Sequence, residues 1–503
     1  MNPKELDQSY QEKKDVFHKY IDDIKKKSKW NLYTIINPTL IKNPYASSFP
    51  KHYFSNKIKN QNKILQFIKS TIKFYIKNIY LLCSYFIAFA LYKIYYKKKR
   101  KYDIENIIDV FVLVDKVNEK GKFSENYLSG VYEIFEKYQV PYTILLRPYG
   151  VGKAPLKLKN FFEITHQDKK DFIFEYDFLK FRDFIELLKL IILYPFKILR
   201  LKQKKQNLVD EIFNNAFISD LQFFSFDSIT RYILGKNLSK IKTIKKIYSW
   251  SEFQVIERSF NYAVRKNSSS IELIGLQFYL NYDTYFNAYA DDLDYDMLSS
   301  PHKMLVNGKY YVKNREKVKY DVGVSLRYKD IFTFEGIKEE KNILLLGSYI
   351  ERDTKYMLES VREFDNVIFK NHPAVDIKRF RELPKSIKVS SENIYKLFEN
   401  VKLVIATASG TAVEAVACGI SVIIIASQDN LTANPLIEYG KGKIWDIAFN
   451  QDDINFIYNN LIQYRQENPK EIQEIAQWYK DNFFAEPTEE NIVKVFELNK
   501  ERR

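Results

Sequence analysis

The sequence predicts an α/β protein made of two doubly wound parallel-sheet domains, with apolar helical insertions. Three observations predict it. Short runs rich in Ile, Val and Leu recur between residues 107 and 425, each the length of a strand buried on both faces. Between them, apolar residues fall at helical spacing, so strand and helix alternate as βαβ units require. The length of 503 residues accommodates two ordinary domains with their own cores and further segments besides.

The first strand is expected at 107–114, followed by a loop with Gly121 and a helix through Tyr127, Val131, Ile134 and Phe135. A second strand at 142–146 closes the first βαβ unit and ends at Arg147-Pro148-Tyr149-Gly150. Residues 151–206 interrupt the pattern with an apolar, basic-edged insertion, and strands are expected again at 216–219, 246–250 and 271–278. The acidic run at 291–296, followed by Ser299-Ser300-Pro301, reads as a solvated loop at the interdomain linker. Its Asp-x-Asp pairs have no surrounding pattern of a metal site.

The second half is more regular. Strands are expected at 342–346, 366–370, 388–389, 403–406 and 422–425, and helices at 353–364, 393–398 and 410–418. The organisation is therefore a basic, aromatic region over 1–100, a Rossmann-like domain over 101–300 carrying the 151–206 insertion, and a second Rossmann-like domain over 301–503.

An apolar fraction of 46% and a charged fraction of 28% are those of a globular chain. The formal charge of +16 has two accounts of equal weight. One is the Lys-, Asn- and Ile-rich bias that also supplies 38 Tyr and 38 Phe; the other is an anionic partner. No RNP motif, zinc-finger spacing or basic-aromatic repeat is present, so nucleic acid is not the expected partner. Cys83 and Cys418 are far apart in apolar runs, and His18, His52, His166 and His302 are scattered, so neither a disulfide framework nor a metal centre is expected. Residues 1–27 are polar and charged without an apolar core, which is not a secretory signal and predicts a cytoplasmic catalytic part.

The most informative stretch runs from Val404 to Gly419. A buried strand ends in Ser409-Gly410-Thr411, which opens a small-residue helix containing Glu414. Such a turn offers free backbone N–H groups, hydroxyl donors and a glycine that lets an anion approach, all suited to phosphate. The plainer alternative is a capped helix with a solvated Glu414. Three other loops leave the same end of the second sheet: Gly347-Ser348, Lys370-Asn371-His372-Pro373, and the Ser427–Asn434 loop with Asn430. That edge is where open α/β sheets bind ligands.

His372-Pro373 followed by Ser409-Gly410-Thr411 and Glu414-Ala415 resembles the donor-binding half of GT-B glycosyltransferases, and most of all bacterial O-antigen and capsule biosynthesis proteins. A His-Pro motif followed by hydroxyl residues is similar to the pattern of transferases with CMP-sugar donors. The resemblance implies His372, Ser409 and Thr411 around the nucleotide phosphate and Glu414 near the ribose or base, with no cofactor. It covers the C-terminal domain well and residues 107–330 loosely, and Ser-Gly-Thr departs from the adjacent hydroxyls of the CMP-sugar families.

Transfer to a hydroxyl needs a base across the cleft. Glu252, between a predicted strand and a predicted helix, is the first candidate, and Asp115 the second. Glu252 would equally serve as an N-terminal acid stabilising the helix dipole. The uncharged run 79–92, followed by the basic run 97–101, and the apolar run 184–201 with its basic edge suit an anionic membrane surface. Burial in the first domain is the alternative. The expected activity is transfer from a nucleotide-sugar donor to a lipid-linked or oligosaccharide acceptor. A nucleotide-sugar 2-epimerase, a CDP-polyol phosphotransferase and an inactive assembly protein remain the alternatives.

Overall fold

A computed structural model describes residues 2–28, 31–44, 46–56, 63–96, 104–113, 125, 127–128, 130–149, 155–167, 170, 172–373, 375–380, 383–384, 386–428 and 430–498. The first sheet contains β1 (Asn106–Leu113), β2 (Thr143–Tyr149), β3 (Phe172–Ile173), β4 (Lys246–Trp250), β5 (Glu272–Leu276), β6 (Lys303–Val306) and β7 (Lys319–Val322). The second contains β8 (Asn342–Leu346), β9 (Val367–Lys370), β10 (Ile387–Val389), β11 (Val401–Ala406), β12 (Ser421–Ile425) and β13 (Trp445–Ala448). Their orders are β3-β2-β1-β4-β5-β6-β7 and β10-β9-β8-β11-β12-β13, with every pairing parallel. The two-domain, doubly wound α/β architecture is thus the observed one. Chain order reverses between β1 and β4 and again between β8 and β11, which opens a crevice at the C-terminal strand ends of each sheet.

Apolar runs form these strands because both faces are covered. In the second sheet Leu344, Val404, Val422 and Ile424 enter one core, while Ile343, Leu345, Leu403, Ile405, Ile423 and Ile425 enter the core on the other face. Helix Thr411–Ala417 lies under one face, and its alanines allow close packing against β11, β12 and helix Pro469–Phe483.

Three boundaries differ from expectation. Residues 216–219 are the last turn of helix Leu208–Ser219, in which Ile212, Phe213, Ala216 and Phe217 form one buried stripe. Four apolar residues fit strand or helix, and the preceding turns decide. The insertion supplies β3 to the sheet as well as helices Pro155–Gln167 and Phe181–Ile198. The first domain also continues past 301, because β6 and β7 belong to its sheet, and helix Glu489–Val495 returns to it. Phe496 there meets Phe135 edge-on and Tyr248 at a tilt, at 5.7 and 5.2 Å between ring centroids.

The acidic stretch is not a solvated loop. Asp294 is 1% exposed and pairs with the guanidinium of Arg258 and with Lys25 Nζ at 3.4 Å. Asp292 instead accepts from the backbone N–H groups of Glu316 and Lys317, and only Asp296 makes a surface pair, with Lys317. Lys25 arrives on helix Pro3–Lys27, which is capped by Asn2 and buries Phe17 and Ile21. A charge pattern in sequence does not reveal a partner 269 residues away.

Helix Lys63–Leu91 buries Phe74, Asn78, Tyr85 and Ala88 against the first domain. It lies antiparallel to helix Phe181–Ile198: Phe86 meets Phe184 at 5.1 Å, and Phe74 meets Tyr194 at 5.5 Å. On the far side of the first helix Ile64, Ile68, Ile72, Ile76, Tyr80 and Ile87 are exposed. Beside them stand Phe181, Ile185, Leu188, Ile192 and Phe196 of the second. The pair therefore carries two adjoining exposed apolar stripes. Among the described residues one helical stretch, Ile64–Tyr96, is long and apolar enough to cross a membrane by length and composition. The basic run 97–101 lies outside the described residues.

Candidate functional site

At the second sheet's switch point, β11 runs into Thr407 and Ala408, whose φ of +49° turns the chain sharply into helix Thr411–Ala417. Ser409, Gly410 and Thr411 are half-exposed on this turn. A Cβ on Gly410 would come within 3.3 Å of Leu280 Cβ, so the turn lies against the loop that follows β5 of the first domain. On the neighbouring loops, a Cβ on Gly347 would sit 3.0 Å from the backbone nitrogen of His372. Glycine there lets the ends of β8 and β9 close up. His372 faces Tyr349, at 6.0 Å between rings. Burial, helped by the Arg327 charge, lowers His372 to about 4, so its imidazole is neutral at neutral pH and offers one N–H.

The remaining donor-side candidates have structural partners. Ser348 is fully buried, and its hydroxyl accepts from Ile350 N–H at 3.0 Å. Lys370 Nζ donates to the Glu392 carbonyl. Asn430 accepts from Leu431 N–H and donates to the Pro44 carbonyl at 3.5 Å, which ties the N-terminal region to the second domain. Glu414 is 6% exposed and accepts from Tyr395 Oη at 2.6 Å; burial raises its pKa. The Thr411 hydroxyl also bonds Glu414, and Ser409, Gly410 and Gly347 lie half-exposed or closely packed beside His372 at this edge of the sheet.

The opposite wall holds Glu252 in the bend between β4 and helix Val255–Asn267. Phe253 takes a left-handed φ of +53°, and Asn287 Nδ2 holds the Glu252 carbonyl at 2.9 Å. The residue as a whole is half-buried. Burial, with the negative charge of Glu257, pushes it up to about 8, against a smaller opposing effect of Arg327. Beneath it lies a buried ionic cluster. Asp109 on β1 meets Arg147 Nε of β2 at 3.0 Å, pairs with Arg231 and accepts from Ser249 Oγ at 2.6 Å. Burial would raise Asp109, but Arg147 and Arg231 hold it below the usual range. Burial pushes Glu257 up to about 7, offset by Arg147. Asp115 lies outside the described residues.

Arg327, in the turn Leu326–Ile331, was not singled out by the sequence. It is exposed, yet its guanidinium lies over the rings of Tyr279, Tyr127 and Tyr328, at 4.5, 5.2 and 5.7 Å. No carboxylate of the described residues pairs with it, while its charge acts on Glu252, His372 and Glu414. It is the cation common to both walls. No local motif marks it, because Tyr127 and Tyr279 come from two distant loops and only Tyr328 is its neighbour in sequence. Among the described residues no group of three His, Cys, Asp or Glu side chains could hold a metal ion.

No protein-family model and no curated protein matches the chain. Solved structures resemble it in general shape. A Staphylococcus aureus MnaA–UDP structure aligns over 80% of this chain and 99% of its own, with 9% identity and a TM-score of 0.42. The wall teichoic acid polymerase TagF aligns over 88% and 98%, with 10% identity and a TM-score of 0.38. CalG4, the calicheamicin glycosyltransferase, aligns over 78% and 97%, with 10% identity and a TM-score of 0.41. At this distance the activity has to be argued from the cleft itself.

Proposed function

We propose that the chain is a metal-independent glycosyltransferase that takes a sugar from a nucleotide-sugar donor and adds it to a surface carbohydrate. The observation that carries this reading is the facing of two unlike walls. Glu252, a carboxyl raised to about 8, stands on the first domain, and a half-exposed Ser-Gly-Thr turn with a neutral histidine stands on the second. The donor phosphate sits on the turn, receiving the backbone N–H groups and the Ser409 hydroxyl, with His372 donating one further hydrogen bond. Glu252 takes the proton of the acceptor hydroxyl as the oxygen attacks the anomeric carbon and the nucleotide departs. The resemblance of His372-Pro373 and Ser409-Gly410-Thr411 to CMP-sugar transferases makes a CMP-linked donor the first to try, and an O-antigen or capsule precursor the matching acceptor class.

The test is a product screen by mass spectrometry, with CMP-, UDP- and GDP-sugars and CDP-glycerol offered against lipid-linked saccharides. One sugar nucleotide giving a glycosylated product supports the reading. Transfer of glycerol phosphate, or epimerisation without transfer, replaces it with the corresponding alternative.

The enzyme is proposed to work as a peripheral or monotopic protein on the cytoplasmic face of the inner membrane. The adjoining stripes of helices Lys63–Leu91 and Phe181–Ile198 support this, since each has its other face occupied by protein. A helix packed along one side lies in the interface more readily than across it. Lys189 and Arg200 are exposed on the second helix and its extension, and each basic residue contributes ~1 kcal/mol at an anionic surface. Vesicles containing phosphatidylglycerol are expected to pellet the protein at low salt, with only partial release at high salt. Ile72→Asp with Ile185→Asp should remove the salt-resistant part. Wild-type protein that stays monomeric and free of vesicles at low salt would refute the docking.

A further inference from the structure

We propose that a second polar site, separate from the Ser409–Thr411 turn, binds an oxyanion carried by the acceptor, in the cavity where Gln277, Asn307 and Arg327 converge. The word acceptor rests on the transferase reading; the anion site itself rests on the following geometry.

The cavity lies at the C-terminal ends of β5 and β6, and its lining includes Tyr127, Gln277, Phe278, Asn307, Arg327 and Phe496. Gln277 follows β5 directly and is 6% exposed; Asn307 follows β6 directly and is 3% exposed. Gln277 Oε1 accepts from Asn307 N–H at 3.0 Å, which fixes that amide and leaves its Nε2 as the free end. The Asn307 carbonyl accepts from Ser325 Oγ at 2.9 Å, and Ser325 is itself held to Ala485. The backbone around both amides is therefore rigid. Gln277 Nε2 and Asn307 Nδ2 are nevertheless buried without a hydrogen-bond partner among the described residues.

A buried unpaired donor costs free energy that a bound acceptor recovers. Arg327, two residues beyond Ser325, adds a guanidinium that no described carboxylate neutralises. Two amide donors and one cation favour a group that accepts several hydrogen bonds: a phosphate or a carboxylate. Tyr127 and Phe278 stack at 5.1 Å beside it, and Trp250 lies 6.0 Å from Tyr127. The flank thus suits the apolar face of a sugar ring bearing the anion.

Trp250 makes the site observable by fluorescence. Inorganic phosphate and acetate, as separate titrants, distinguish the two oxyanion classes. At least one is expected to give a saturable change in the wild-type protein. Its apparent Kd should rise tenfold or more in Arg327→Gln and in Asn307→Leu, less in Arg327→Lys, and not at all in His372→Ala. Asn307→Leu should keep or raise the unfolding midpoint, since it removes an unpaired buried donor at nearly constant shape. Saturating nucleotide should not displace the anion, although its charge near Arg327 can weaken the anion Kd.

The proposal is overturned if neither anion changes the signal, or if Arg327→Gln titrates like wild type. It is also overturned if nucleotide displaces the anion, which would make the cavity part of the donor site. Should no nucleotide bind while the anion response persists with this mutational pattern, the anion site stands and the transferase reading fails.

Discussion

Glu252→Gln is expected to lower turnover ~10²–10⁴-fold, the usual contribution of a positioned base, while nucleotide binding stays at the wild-type level. Gln keeps the shape and removes the only group at that bend able to accept the acceptor's proton. The same carboxyl sets the pH profile. Because burial raises it to about 8, Glu252 is protonated at low pH and inactive as a base, so the rate should climb with pH and level off above about 8. Its stability effect has the opposite sense. The folded state holds this proton more tightly than the unfolded chain, so the contribution of Glu252 to stability falls as pH rises from its ordinary value of 4.5 towards 8. Glu252→Gln should therefore flatten the pH–rate profile and part of the alkaline loss of stability together. A variant that transfers at the wild-type rate removes Glu252 from the mechanism, and Asp115 becomes the residue to replace.

Asp294→Ala is expected to give the largest loss of stability, on the order of 3–5 kcal/mol, as a lowered midpoint in urea unfolding. Asp294 meets two buried cations, Arg258 and Lys25, and its removal takes the paired carboxylate away from both. Replacing all three with apolar residues of similar volume (Asp294→Leu, Arg258→Met, Lys25→Met) should recover much of the loss, because desolvation of the charges disappears with them. The pH dependence follows from the direction of the shift. Burial alone would raise Asp294, but Arg258 and Lys25 hold it well below its ordinary 3.8. Its contribution is therefore complete above that value and is lost as the pH falls towards the depressed one. Equal midpoints for wild type and Asp294→Ala at neutral pH would mean that the network does not tie the N-terminal helix to the first domain.

The parts of this molecule that were legible from sequence are those encoded locally. The runs at 342–346, 403–406 and 422–425 alternate between two cores, so their composition alone fixes them as central strands. The turn at Ser409-Gly410-Thr411 is legible because strand end, glycine and helix start are consecutive. The segment 216–219 was not, since four apolar residues satisfy both periods and only the turn before them settles the helix. Asp294 was misread because its partners lie 36 and 269 residues away. Glu414 looked available for a ligand until Tyr395, from a separate short helix, was seen to occupy it. Arg327, Gln277 and Asn307 carry no motif at all, and they become a constellation only when β5, β6 and the turn after β7 are side by side.

The central claim is that a sugar nucleotide lies on the turn of the second domain, and calorimetric titration of the full-length protein measures it most directly. With CMP, UDP or GDP, one nucleotide is expected to bind saturably. His372→Ala and Ser409→Ala should each weaken it by about 1–3 kcal/mol, the value of a buried or charge-assisted hydrogen bond, without lowering the unfolding midpoint. Wild-type affinity in both variants, or no nucleotide binding by the wild-type protein, would contradict the account.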